Sequence, residues 1–265
     1  PGSVRITFAP EVTEIVFTED DCCLPPIGRT SPTAAGFTTI YGANAVALVG
    51  AGTGVIGQSQ IGLALVGQRT YVYGLELRNW ETAVYIQGDN NILGADGYPD
   101  EYQAYERNHI YDNSVGVEIS GDENYIGGNT ISGSLKYGLR IYEGANNNTV
   151  GVNTGTYVPS YTRNIIDGGE RCLIVDGNEN TIAGNSISFC DPYGVSVGGD
   201  GNTIGVNGNE FNDPYEGNQV SDNVSVGIIV FGDENVVAGN YSGLYEDGSL
   251  RPNLNGISIA GDRNH

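Results

Sequence analysis

Gly116-Val117-Glu118-Ile119-Ser120-Gly121-Asp122-Glu123-Asn124-Tyr125-Ile126-Gly127 decides the fold of this chain, because the same pattern keeps returning. It comes back as Gly194-Val195-Ser196-Val197-Gly198-Gly199-Asp200-Gly201-Asn202-Thr203-Ile204-Gly205. Shorter copies are Gly227-Ile228-Ile229-Val230-Phe231-Gly232-Asp233-Glu234-Asn235 and Gly256-Ile257-Ser258-Ile259-Ala260-Gly261-Asp262-Arg263-Asn264. Each copy is a Gly, an alternating aliphatic segment, a second Gly, two polar residues and an Asn. Alternation with a period of two marks a half-buried strand, and the Gly, Asp and Asn around it mark turns. Self-similarity at a period of roughly 20–50 residues marks a stacked solenoid.

The Gly closing each strand (Gly88, Gly121, Gly144, Gly177, Gly199, Gly232, Gly261) gives steps of 33, 23, 33, 22, 33 and 29 residues. Long and short coils therefore alternate. A short coil such as 116–133 has room for three brief strands and their turns. The long coils add about ten residues after the second strand, at 96–106, 153–163 and 207–217, where a solenoid carries loops on one face. Three residues after most marker glycines stands an Asn: Asn91, Asn124, Asn180, Asn202, Asn235 and Asn264, with Asn148 displaced by one. A second column follows at Asn108, Asn129, Asn164, Asn185, Asn218 and Asn240. Asn tolerates left-handed turns and its amide reaches the neighbour above or below, so both columns are read as structural ladders.

Alternation sends Val84/Ile86, Val117/Ile119, Leu139/Ile141, Leu173/Val175, Val195/Val197, Ile228/Val230 and Ile257/Ile259 inward as aliphatic columns. Ile126, Ile131, Ile182, Ile187, Ile204 and Val220 fill the other walls. No coil buries its apolar face alone, so stability comes from nearest-neighbour stacking. The fold class is all-β: a single-stranded parallel β-helix of about nine to ten coils. Residues 1–36 read as lead-in strands or a cap with a Pro- and Cys-rich loop, and 37–265 as the helix. The repeat runs to the last residues without a cap, so the expectation is more chain or another subunit beyond it.

The formal net charge is −21, with 32 acidic and 11 basic residues, and Lys136 is the one lysine. That balance argues against nucleic acid and against an anionic membrane surface. No apolar run is long enough to span a bilayer. Cys172 and Cys190 lie about one coil apart, spaced for a bridge between neighbouring coils. The adjacent Cys22 and Cys23 would form a strained ring with each other; a bond elsewhere in the chain or to another chain is the alternative. This cysteine usage favours an extracellular or cell-surface setting. Sequons at Asn147, Asn223 and Asn240 are expected by chance in so Asn-rich a chain.

Three groups of residues are candidates for function. Asp89, Asp122, Asp200, Asp233 and Asp262 share one turn position, and stacked carboxylates repel unless a hard cation such as calcium relieves them; the alternative is a solvated acidic edge. The long-coil loops carry Tyr98, Tyr102, Tyr105, Tyr157, Tyr161 and Tyr215, whose flat faces and polar tips suit sugars or protein interfaces. Lys136 and Arg140 form the basic spot at one strand.

The coils at Asn202-Thr203-Ile204-Gly205 and Asn235-Val236-Val237-Ala238-Gly239-Asn240-Tyr241-Ser242-Gly243 resemble the right-handed parallel β-helix repeats of bacterial and archaeal surface proteins, in the pectin-lyase-like superfamily. The opening, Val4-Arg5-Ile6-Thr7-Phe8-Ala9-Pro10 with Leu24-Pro25-Pro26 and Thr38-Thr39-Ile40-Tyr41-Gly42, is similar to their usual lead-in. The resemblance implies a fold shared by lyases, hydrolases, epimerases, adhesins and inert stalks, and so implies no single activity. For a lyase it implies an Arg or Lys base beside calcium-holding carboxylates, which points to Lys136 and Arg140. The Gly-His-Gly and Arg-Ile-Lys segments of the hydrolases are absent, and Arg140-Ile141-Tyr142 departs from the second where Lys should stand. Asp191-Pro192-Tyr193 and Asp213-Pro214-Tyr215 echo an epimerase's Asp-Pro-His, yet Tyr cannot replace His as a base near neutrality. His109 and His265 are the only histidines. The expectation is a non-catalytic structural or adhesive solenoid of an envelope, sheath or filament, self-associating or meeting other envelope components. A polysaccharide-binding or polysaccharide-degrading protein is the alternative.

Overall fold

The computed structural model describes residues 4–9, 11–17, 27, 38–51, 60–95, 107–152, 159–210, 213–244 and 247–265. They wind into a right-handed parallel β-helix with three walls. Wall A is an eight-stranded parallel sheet of β4 (Ile61–Leu65), β6 (Thr82–Ile86), β9 (Val115–Ile119), β12 (Tyr137–Ile141), β15 (Arg171–Val175), β18 (Tyr193–Val197), β21 (Val226–Val230) and β24 (Asn255–Ile259). Wall B stacks β7 (Ile92–Gly94), β10 (Tyr125–Gly127), β13 (Thr149–Gly151), β16 (Thr181–Ala183), β19 (Thr203–Gly205) and β22 (Val236–Ala238). Wall C stacks β8 (His109–Tyr111), β11 (Thr130–Ser132), β14 (Ile165–Asp167), β17 (Ser186–Ser188), β20 (Gln219–Ser221) and β23 (Tyr241–Ser242).

Walls B and C join at the N-terminal end through long strands that serve both. In β5 (Thr70–Arg78), Tyr71 and Val72 pair with β7 while Glu76, Leu77 and Arg78 pair with β8. The sequence reads 37–42 and 45–50 as two strands; the structure runs them together as β3 (Thr38–Val49), with a register shift between Tyr41 and Val46. Two further strands, β1 (Val4–Thr7) and β2 (Glu14–Val16), pair with its two halves, and Phe17 lies against the fully buried Trp80 with ring centroids 5.1 Å apart.

The inward residues named above are fully buried from Val84 through Val230. In the last winding Ile257 and Ile259 lie in register on Ile228 and Val230 and remain 46% and 47% exposed. Each buried aliphatic side chain contributes about 1.5–3 kcal/mol, and only stacked windings bury it, which ties stability to the repeat.

The turn from wall A to wall B shows why the repeat reads Gly-polar-polar-Asn. A Cβ on Gly121, Gly199, Gly232 or Gly261 would lie 1.9–2.2 Å from the carbonyl oxygen of the glycine one winding below. The third residue of the turn adopts positive φ (Glu123 56°, Glu179 56°, Glu234 59°), at a cost of about 1–2 kcal/mol for a non-glycine. That twist sends the following Asn inward. Gly177 meets Ala145 in this way, not Gly144, so Ala145 occupies the marker place of its coil. Counted from Ala145, Asn148 stands at the same three-residue offset as the others and is not displaced. Gly144 is an extra turn residue at φ 86°.

Both Asn columns are ladders. The backbone amides of Asn91, Asn124, Asn148, Asn180, Asn202 and Asn235 each donate to the next Asn Oδ1, at 2.7–2.9 Å. The second column is linked from Asn108 to Asn240, each next Oδ1 accepting a backbone amide from Asn129, Asn185 and Asn218 and the side-chain Nδ2 from Asn108 and Asn164. A third corner, which the sequence did not disclose, places Trp80, Asn113, Ser134, Gly169, Cys190, Asn223 and Asn253 in one row. Asn113 Oδ1 accepts the Trp80 amide, Asn223 Oδ1 the Cys190 amide, and Asn253 Oδ1 the Asn223 amide. Where this ladder lapses, at Gly169 and Cys190, Cys172 and Cys190 form a disulfide with Cα atoms 5.7 Å apart, and both are fully buried. The sequon residues Asn223 and Asn240 are committed to ladders, so their amides are not presented for glycosylation.

Candidate functional site

Outward positions of wall A align into rows along the axis. One row runs Tyr85, Glu118, Arg140, Ile174, Ser196 and Ile229. Beside it, just past the strand ends, runs Ser120, Tyr142, Asp176, Gly198, Phe231 and Ala260, each amide bonded to the winding below. Arg140 lies at the centre. Its Nε and Nη2 donate to Asp176 Oδ2 at 3.2 and 2.9 Å, and its guanidinium sits 4.5 Å from the Tyr142 ring centroid and 5.5 Å from that of Tyr137. The Tyr142 hydroxyl donates to Glu118 Oε1 at 2.5 Å.

These contacts set the protonation states. Burial, then the hydrogen bond and charge of Glu118, push the Tyr142 phenol up to about 12. Burial alone would lower the Arg140 guanidinium; the hydrogen bond and charge of Asp176 outweigh it and raise it instead. Lys136 donates to Glu81 Oε1 at 2.9 Å, and that bond raises its ammonium above the ordinary lysine range. A base working near neutrality needs the opposite shift. The two weak catalytic candidates therefore share wall A but are both held as paired cations.

Gly198 interrupts the second row and leaves a groove of about 520 Å³ lined by Arg140, Tyr142, Glu143, Asp176, Asn178, Gly198, Gly199 and Asp200. Phe231 follows Gly198 in the row with 53% of its surface exposed. The groove thus brings together one charged clamp stacked on tyrosine and several carboxylates, with the exposed Phe231 one winding on in the same row. Of these, the sequence singled out Arg140 and Asp200 alone. The signal it offered for the rest was the Arg-x-Tyr spacing of Arg140 and Tyr142, which puts both side chains on one outward face.

The acidic column is a second ladder, with Asn in its middle: Asp89, Asp122, Asn146, Asn178, Asp200, Asp233 and Asp262. Each backbone amide from Asp122 onward donates to the side-chain Oδ1 one winding earlier, at 2.7–3.0 Å. The buried ladder runs the other way, from an earlier amide to a later side chain. The column holds at most one carboxylate per winding, and Asp89, Asp122, Asp200 and Asp233 each have Oδ1 accepting a backbone amide. Among the described residues no group of three or more His, Cys, Asp or Glu is arranged to hold a metal ion.

Of the tyrosines, Tyr161 and Tyr215 are described, and Tyr98, Tyr102, Tyr105 and Tyr157 lie outside the described residues, as do Cys22 and Cys23. Tyr161 lies in α1 (Pro159–Thr162) and Tyr215 in α2 (Asp213–Glu216), single helical turns where the sequence led us to expect loops. They are equivalent: their carbonyl oxygens lie over Gly128 and Gly184, and the side chains are 43% and 49% exposed. Both sit between walls B and C, away from the wall A groove. His109 is exposed on wall C, far in the winding from Arg140.

No family model and no curated protein matches the chain. Among solved structures it is similar to the periplasmic alginate epimerase AlgG, at 14% identity and a TM-score of 0.46, over 89% of this chain and 63% of that one. A variant of AlgG with one Asp-to-Ala substitution aligns at 15% identity and a TM-score of 0.45. The chain spans about 63% of the length of these structures, and the likeness is one of fold. No helix among the described residues is long and apolar enough to cross a membrane.

Proposed function

We propose that the chain is a non-catalytic, polysaccharide-binding β-helix with an adhesive role, working in an oxidising compartment outside the cytoplasm. The observation that carries this reading is the groove over Gly198, flanked by Arg140 stacked on Tyr137 and Tyr142 and by the open ring of Phe231. Aromatic faces cover the apolar side of a sugar ring, while carboxylates and amides take its hydroxyls. Arg140 and Tyr142 are both shifted away from proton abstraction near neutrality, the guanidinium raised by Asp176 and the phenol raised to about 12 by burial and Glu118. The disulfide between Cys172 and Cys190 supports the compartment. Two variants test the site without touching the core. Phe231→Ala removes the aromatic face. In Gly198→Leu, a Cβ meets only the flexible Asp176 side chain, at 3.2 Å, so the new side chain fills the groove. Retention on immobilised polysaccharides should fall at least about tenfold in both, as expected when about 1.4 kcal/mol of contact is lost, with unfolding midpoints unchanged. Undiminished binding by both variants refutes the site, and products released by the wild type refute the non-catalytic reading.

A further inference from the structure

The charge of the groove indicates the class of polymer it takes. Its lining holds one cation, Arg140, against three carboxylates, Glu143, Asp176 and Asp200. That cation is already ion-paired, its Nε and Nη2 both donating to Asp176 Oδ2. Glu143 is exposed at the rim, with no ion pair or hydrogen bond among the described residues. Asp200 Oδ1 accepts the Asp233 backbone amide at 2.7 Å, and no cation pairs with it among the described residues. Glu118 adds a fourth carboxylate one winding away, bonded to Tyr142. Arg171, another cation on wall A, lies over the Tyr193 ring and outside the lining. The whole chain carries −21, so the far field has the same sign as the groove. A polyuronate laid here would set its carboxylates against Glu143 and Asp200, the two that Arg140 does not neutralise, and like-charge juxtaposition disfavours a partner strongly. Protonated amines would meet those carboxylates with charge-assisted hydrogen bonds.

Resting on the reading of this groove as a polysaccharide site, we propose that its ligand class is an amino-sugar polymer with free amines. The carboxylates of Glu143 and Asp200 pair with ammonium groups, while Phe231 and the Arg140–tyrosine stack face the sugar rings.

The test uses the whole chain and three soluble oligomers of equal length: a glucosamine oligomer with free amines, its fully N-acetylated counterpart, and an oligogalacturonate measured with calcium and with chelator. The free-amine oligomer should bind at least about tenfold more tightly than the N-acetylated one at low salt, and raising ionic strength should erase most of that margin. The double variant Glu143→Gln, Asp200→Asn keeps the ladder acceptor at position 200 and removes two charges. It should lose the margin while N-acetylated binding stays unchanged. Equal binding of the free-amine and N-acetylated oligomers overturns the charge assignment and leaves polysaccharide binding standing. So does a preference for oligogalacturonate, with or without calcium. Binding of none of the three, by a chain whose unfolding midpoint shows it folded, overturns both readings together.

Discussion

Replacing Asn148 by Ala separates the two kinds of ladder. In the buried ladder Asn148 Oδ1 accepts both the backbone amide of Asn124 at 2.8 Å and its side-chain Nδ2 at 3.1 Å. Truncation leaves those two donors without a partner on a residue 1% exposed, where water does not enter. Each orphaned buried donor costs about 1–3 kcal/mol, so the pair gives about 2–6 kcal/mol. In the outer ladder Asn146 Oδ1 accepts only the Asn178 amide, at 3.0 Å, at an exposed site that water refills. Asn146→Ala should therefore cost about 0.5–1 kcal/mol. Urea unfolding of the two variants beside the parent reads the difference directly, provided the slopes agree. Amide exchange at Asn124 should also rise in the first variant, since the defect lies between two neighbouring windings. If Asn148→Ala costs less than Asn146→Ala, the buried amides do not hold the windings together and the structural reading of the columns fails.

Two further outcomes follow from the geometry. Gly177→Ala would place a Cβ 1.9 Å from the Ala145 carbonyl oxygen, backbone against backbone, and should cost about 3 kcal/mol or more; Gly144→Ala meets no atom within 4 Å and should cost only the strain of φ 86°, about 1 kcal/mol, so equal losses in thermal unfolding would contradict the marker assignment. The Tyr142 and Tyr111 phenols, raised to about 12 by burial and then by Glu118 and Glu76, should be the last to ionise in an ultraviolet titration. Because the folded value lies above the ordinary 10, the stability these tyrosines contribute is complete below about pH 10 and is lost as the pH rises towards 12. Tyr142→Phe should remove one late-ionising group, and an unchanged titration would refute the Glu118 contact.

How far the sequence could be read depended on whether a position repeats its residue or only its role. Inward aliphatics and the first two Asn columns recur as the same residue types, so spacing alone places them. The third corner holds Asn113, Asn223 and Asn253 but Trp80, Ser134, Gly169 and Cys190 in its other windings, and a column without constant composition leaves no period to detect. The marker at Ala145 escaped for the same reason, since Gly144 beside it carried the expected residue in the wrong place. The groove lay further out of reach. Arg140, Asp176 and Glu118 come from three windings, and only register across wall A brings them together.

Ladders and aliphatic columns occupy the inward and corner positions, and that separates stability from recognition in this fold. Two Asx ladders of opposite polarity clamp each pair of windings at neighbouring turn residues, so the outward rows are held at strand spacing, about 4.8 Å per winding, whatever side chains they carry. An outward row is then a fixed lattice on which single substitutions act locally. Gly198 shows the consequence: one missing side chain between Asp176 and Phe231 opens a groove, while the inward Val197 beside it stays fully buried. Variants along that row should accordingly change binding without moving the unfolding midpoint, whereas variants in the ladders should do the reverse. A row variant that unfolds the rod, or a ladder variant that alters binding while stability is kept, would show that the two sets of positions are coupled after all.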